Sequence, residues 1–211
     1  INTSKCVYES AGYHEVTGVV TAIQKTALTN AKKHTDLNIG FFMQAPSDNN
    51  PLTSDGIFVE TNDIADLTVG TEVTVVAKVK EDWGWTKLVK TDSVKKTDKT
   101  VTELKATPLR VLESDENFDF TLERHEGMLI QFDKESDMRV SRTFGFNHYP
   151  FYRNNMVVSN GQVNLHPNQN NAPVIHDDTI DTAPERQTSS NEEKRIVVES
   201  FEKVAKGTHI P

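Results

Sequence analysis

Cysteine is nearly absent from this sequence: Cys6 is the single one among 211 residues. An internal disulfide is excluded, and Cys6 is either a free thiol or pairs outside the chain. Long apolar runs are missing as well. No window approaches the roughly 18 consecutive apolar residues of a spanning helix, so no membrane partner is expected. Catalytic signatures are also lacking. There is no His-x-x-x-His pair, no Gly-x-Ser-x-Gly elbow and no phosphate loop. The histidines are scattered at positions 14, 34, 125, 148, 166, 176 and 209, and Cys6 has none beside it. The chain is therefore expected to be non-catalytic, with no catalytic residue, metal site or cofactor of its own. It starts at Ile1 and closes on the linker-like Gly207-Thr208-His209-Ile210-Pro211, which reads as a piece of a longer protein.

Positive charge is scarce overall. The net charge is −8 and the pI about 5.4, which argues against a strong phosphate-backbone binder taken whole. The distribution is uneven. Residues 138–176 contain no Asp or Glu and carry Arg139, Arg142 and Arg153, leaving the remainder at −11.

What is present is β pattern. Residues 16–24, 40–44, 56–61, 72–80 and 86–89 read as strands, the fourth with Val73, Val75, Ala77 and Val79 alternating onto one face. Residues 25–37 and 45–55 read as loops, and Asp82-Trp83-Gly84-Trp85 as a hairpin tip. Five short strands with small gaps predict a small closed or nearly closed barrel. A polar Lys/Thr-rich stretch over 90–100 follows. Residues 118–125 suit one short helix. A second β set is expected at 127–132, 138–141, 155–159, 162–165 and 195–200, with a long polar loop over 167–194. The fold class is thus mostly β: two small barrels in tandem, at 1–100 and 101–211, with short helices and long polar loops. One larger β domain is the alternative.

Three constellations stand out. Asp177, Asp178 and Asp181 cluster in a polar loop, as do Asp48, Asn49 and Asn50, and Asp63 with Asp66. Each is a solvated loop or a cation site, although no spacing fits a calcium loop. Arg139, Arg142, Phe144, Phe146, His148, Tyr149, Phe151, Tyr152 and Arg153 place five aromatics and three arginines in fifteen residues without an acid. Stacking rings with guanidinium groups suit a single-strand groove. The other reading has the rings plugging barrel ends and the arginines pairing with acids. Trp83 and Trp85, followed by Lys87, form a stacking platform on one reading; on the other, one Trp is buried and one caps the barrel.

Gly40-Phe41-Phe42-Met43-Gln44 followed by Thr53-Ser54-Asp55-Gly56-Ile57-Phe58-Val59 resembles the GFFxQ…TSDGIFV pattern of ExeM/NucH-like secreted bacterial endonucleases. Val16-Thr17-Gly18-Val19-Val20-Thr21, Val69-Gly70, Val73-Thr74-Val75, Glu126-Gly127-Met128-Leu129-Ile130 and Asn154-Asn155-Met156-Val157-Val158-Ser159 are similar in the same order. The ordered matches run from about residue 16 to 160. In that family the region is OB-like and precedes an endonuclease/exonuclease/phosphatase-type catalytic domain. The resemblance implies two OB-like barrels and an accessory nucleic-acid-binding module. It would position DNA for a downstream catalytic domain of the same polypeptide that uses a divalent metal, Mg or Ca. It also implies an extracellular, secreted protein. The candidate DNA-binding residues are Arg139, Arg142, Phe144, Phe146, Tyr149, Tyr152 and Arg153, with Trp83, Trp85 and Lys87 behind them. The rival expectation is a scaffold that packs on the catalytic domain or cell surface and touches no DNA.

Overall fold

The computed structural model describes residues 7–25, 28–30, 34–37, 39–146, 154–161 and 194–199. The chain divides into two compact units, residues 1–107 with 122–131 and residues 108–121 with 132–211. Strand dominates both.

The first unit holds β1 (Val7–Glu9), β2 (His14–Gln24), β3 (Leu28–Asn30), β4 (His34–Leu37), β5 (Gly40–Gln44), β6 (Gly56–Glu60), β7 (Thr71–Asp82) and β8 (Thr86–Thr100). Six of these form one sheet in the order β1-β7-β2-β5-β6-β8, and β7 also pairs with β8. The pairings therefore return to their start: β2, β5, β6, β8 and β7 each have two neighbours within the ring, and β7 also carries β1. All pairings are antiparallel except β6 with β8, where Phe58 and Val59 lie opposite Lys87 and Leu88. Register shifts in β2 between Val20 and Ala22, and on β7 between Val76 and Lys78, let these strands bend.

Alternation explains the core. Along β7, Thr71, Val73, Val75 and Ala77 are buried while the residues between them are half-buried. Val73, Val75 and Ala77 meet Val20, Phe41, Met43, Val59, Leu67 and Leu88 in one cluster. Each such side chain contributes about 1.5–3 kcal/mol when fully buried. Two stretches differ from expectation. Residues 25–37, read as loop, include the β3–β4 pair. The polar stretch 90–100 continues β8, since its threonines and lysines line up against β7 from Thr71 to Val76. A half-exposed strand tolerates such residues once its neighbour supplies the hydrogen bonds.

The first unit takes back residues 122–131. Thr107 N–H donates to the Leu129 carbonyl, and the short strands β9 (Thr107–Pro108) and β10 (Ile130–Gln131) pair. The helix α1 (Phe118–Glu123) is capped by Asn117, whose Oδ1 accepts from Asp119 and Phe120.

In the second unit, β11 (Met138–Phe146), β12 (Asn154–Asn160) and β13 (Arg195–Glu199) form an antiparallel sheet in that order. Val157, Val158, Ser141 and Ser159 are buried there, the two serines hydrogen-bonded to each other at 2.9 Å. A one-turn 3-10 helix at Lys134–Ser136 precedes β11. Asp133 caps it, and Ser136 Oγ accepts back from the Asp133 N–H. Arg110 grips Asp133 with two hydrogen bonds of 2.8 and 2.6 Å and reaches Glu135 at 3.1 Å. Those bonds, with the loop's own N–H groups, hold the Asp133 carboxyl down at about 2.

Candidate functional site

The site begins at the hairpin between β7 and β8. Trp83 (φ 59) and Gly84 (φ 86) both lie in the left-handed region, and Asp82 N–H donates to the Trp85 carbonyl at 3.0 Å. Two positive φ values at a two-residue tip are the type I′ arrangement, which matches strand twist and favours Asn-Gly. Gly84 fits the second position freely. Trp83 occupies the first with 77 % of its surface exposed.

Carboxylates fasten this hairpin. Glu81 accepts from the Gly84 N–H at 2.8 Å and from the Thr86 hydroxyl at 2.6 Å. Glu126, from the returning segment, accepts from the Thr86 N–H at 3.1 Å. It is half-buried, and its carboxyl is pushed up to about 7. Loss of water is the main cause; the Thr86 N–H opposes it, and the charges of Glu123 and Glu81 add to it. Asp82 is held low, first by its hydrogen bond from Lys80 and then by Lys87.

Trp85 folds back over the sheet. Its ring lies 5.2 Å from that of Phe58, which lies 4.9 Å from Phe42. Phe42 and Phe58 are register partners on β5 and β6, on the face opposite the core residues Phe41 and Val59. The file therefore runs from the second and third strands of the ring to the tip joining the last two. Lys87 Nζ sits 4.7 Å from the centroid of Trp85 and pairs with Glu60 at 3.2 Å and Asp82 at 3.3 Å. Only 5 % of Lys87 is exposed.

Residues 126–129 pack on the same outer face at Gln44, Ser54 and Gly56. Ser54 Oγ donates to the Glu126 carbonyl at 2.5 Å, and the Leu129 N–H donates to Gln44 Oε1 at 3.1 Å. The backbones meet at Gly56 and Gly127. A Cβ on Gly56 would come within 2.5 Å of Gly127 carbonyl atoms, and Gly127 itself has φ +70. Only glycine allows both the approach and the turn.

The other expected residues distribute as follows. Arg139 is exposed on β11 and bonded through Nε and Nη2 to Asp137 at 3.1 and 2.9 Å. Arg142, Phe144 and Phe146 belong to the same strand, with a shift in register between Arg142 and Gly145. Tyr149, Tyr152 and Arg153 lie outside the described residues, as do Asp177, Asp178 and Asp181. Asp48 and Asn50 use their side-chain oxygens to close local turns, accepting from the Asn50 and Leu52 N–H groups. Among the described residues no group of three His, Cys, Asp or Glu is placed to hold a metal. No helix of the described residues is long and apolar enough to cross a membrane.

The structure thus brings Trp83, Trp85 and Lys87 together and adds Phe42, Phe58, Glu81 and Glu126, which the sequence did not single out. The signal for Phe42 was its position: next to core Phe41 on a strand, it must face outward. Compared with protein-family models, characterised proteins and solved structures, the chain matches none.

Proposed function

We propose that the first unit is an OB-like barrel. On this reading the chain is an accessory nucleic-acid-binding module that positions DNA for a separate, metal-dependent catalytic domain of a secreted nuclease. The closed ring of five strands supports the first part. Counted as first to fifth, β2, β5, β6, β7 and β8 follow the order first-second-third-fifth-fourth-first, with third and fifth parallel. Five-stranded barrels of this class take ligands on the second and third strands and on the loop between the fourth and fifth. The carrying observation is the file Phe42–Phe58–Trp85, which spans those positions. Phe58 is buried beneath Trp85 and steadies it, so the rings open to a base are the part-exposed Trp85 and Phe42. Such rings accept any base, since each base presents a π face. By the same reading residues 101–211 form a second OB-like domain, and Arg139 and Arg142, both in the β11 stretch of its antiparallel sheet, would serve phosphates. Tyr149, Tyr152 and Arg153 would extend that surface. The absent catalytic domain would supply Mg or Ca.

A second reading, a scaffold that binds protein rather than DNA, rests on the ion pairs. Lys80 and Lys87 bond Asp82, and Arg139 bonds Asp137, so these cations already have partners.

The test is fluorescence anisotropy with labelled single- and double-stranded oligonucleotides at low and moderate salt. Saturable binding is expected. It should weaken roughly fivefold or more in Trp85→Ala, the stacking contribution of one base. It should weaken again when Arg139, Arg142 and Arg153 are changed to Ala. Absence of binding at low salt overturns the nucleic-acid reading and leaves the scaffold.

A further inference from the structure

Trp83 is a costly residue where it stands. A bulky aromatic at positive φ is strained by about 1–3 kcal/mol, and the type I′ position it fills favours Asn. Its indole does not offset that cost by burial, because 77 % of the residue is exposed. Folding explains Trp85, which covers Phe58; it does not explain Trp83.

The surroundings decide what such a ring would meet. Asp82 precedes it in sequence, and Glu81 lies under the tip through its bonds to Gly84 and Thr86. Glu126 joins at Thr86, and Glu60 and Asp82 converge on Lys87. Four acids, Glu60, Glu81, Asp82 and Glu126, thus gather about the hairpin, with Lys80 and Lys87 bonded among them. Negative charge repels phosphate from the tip. It attracts a cation, and a tryptophan face does the same. The hairpin already shows this pairing within itself, with the Lys87 ammonium over Trp85. Each Glu81 oxygen takes one hairpin donor and retains a further lone pair. A planar guanidinium suits both parts at once, since it stacks on a ring while bonding a carboxylate at its edge.

We propose that the Trp83 tip is a docking point for an arginine-bearing peptide segment of a partner protein. The guanidinium lies on the exposed indole and its edge faces the carboxylates beneath. This site shares its hairpin with Trp85 but turns on a different ring, and it stands whether or not the Phe42–Phe58–Trp85 file binds nucleic acid.

The experiment is a calorimetric titration of the whole chain with a short oligo-arginine peptide, at low and moderate salt. An oligo-glutamate peptide and oligo-thymidine serve as controls. Trp83→Asn is the informative variant, because Asn suits the turn and its unfolding midpoint should equal or exceed that of the parent. Trp83→Gly repeats the test should Asn perturb the hairpin. Saturable oligo-arginine binding is expected, lowered about fivefold or more in both variants. Undiminished binding in the variants overturns the proposal, since the acidic chain as a whole then accounts for it. So does no binding at low salt. Oligo-thymidine binding that is lost with Trp83 also overturns it and gives the tip to nucleic acid instead. The nucleic-acid reading is judged on Trp85→Ala, so either idea can fail alone.

Discussion

Glu126 shows how one residue can act against the fold that holds it. Its carboxyl titrates at about 7 in the folded chain against an ordinary 4.5. Between those values the folded state binds more protons than the unfolded one, so stability falls as pH rises through that window. Above pH 7 the penalty is complete. Glu126→Gln retains an acceptor for the Thr86 N–H and removes the charge. Its stability should exceed the parent's by about 1 kcal/mol at pH 8, a figure discounted because the group is half in water. The gain should vanish near pH 4.5, as urea unfolding at the two pH values will show. Asp133 behaves oppositely. Its carboxyl sits at about 2, below the ordinary 3.8, so its contribution is intact above pH 3.8 and lost as pH falls toward 2. Asp133→Asn should flatten the acid limb of unfolding, followed by circular dichroism. Lys87 was opaque in the sequence, since a lysine reads as solvent-facing by default. Only the fold reveals that Phe58 opposes it and that two acids close over it. Lys87→Ala should cost about 1–2 kcal/mol, because Glu60 and Asp82 lose a shared cation while Asp82 keeps Lys80.

At the level of elements, β7 was the most legible, because Val73, Val75 and Ala77 announce a buried face by strict alternation. The hairpin tip was equally plain from Gly84 between two tryptophans. The 90–100 half of β8 was not. Its polar residues carry no periodicity, and the strand exists because β7 offers hydrogen bonds along its length. The role of residues 126–129 was also hidden: a contact between Gly56 and Gly127 joins positions 71 residues apart and leaves no local trace. That contact is directly testable. Gly56→Ala should destabilise the first unit by about 1–3 kcal/mol, as overpacking does, with the change read in the urea midpoint. Ser54→Ala, which removes the hydroxyl bond to the Glu126 carbonyl and the acceptor of the Gly56 N–H, should cost about 1–2 kcal/mol.

Across the whole chain, charge and binding meet in the salt dependence. An overall charge of −8 opposes any polyanion, so a nucleic-acid complex must draw on the acid-free stretch. Three arginines neutralising three phosphates give a slope of about −2 in log affinity against log salt for single strands. A fourfold rise in salt should then weaken oligo-thymidine binding by roughly fifteenfold. A markedly shallower slope would remove these arginines from the contact. The three-ring file was half legible: Trp85 drew notice and the apolar run 57–59 suits the buried Phe58, but that Phe42 is only part-buried beside it shows once β5 and β6 are paired.

The return of residues 122–131 to the first unit also has a consequence during synthesis. Gly56 leaves the ribosome 71 residues ahead of Gly127, the partner that covers it. At about 5–20 residues per second, that strip of β5 and β6 stays uncovered for roughly 4–14 seconds. All five strands of the ring have emerged by then, so the nascent chain carries a nearly complete sheet with one bare strip. A chaperone or a sister chain meeting it in that interval finds a surface that the mature protein no longer offers.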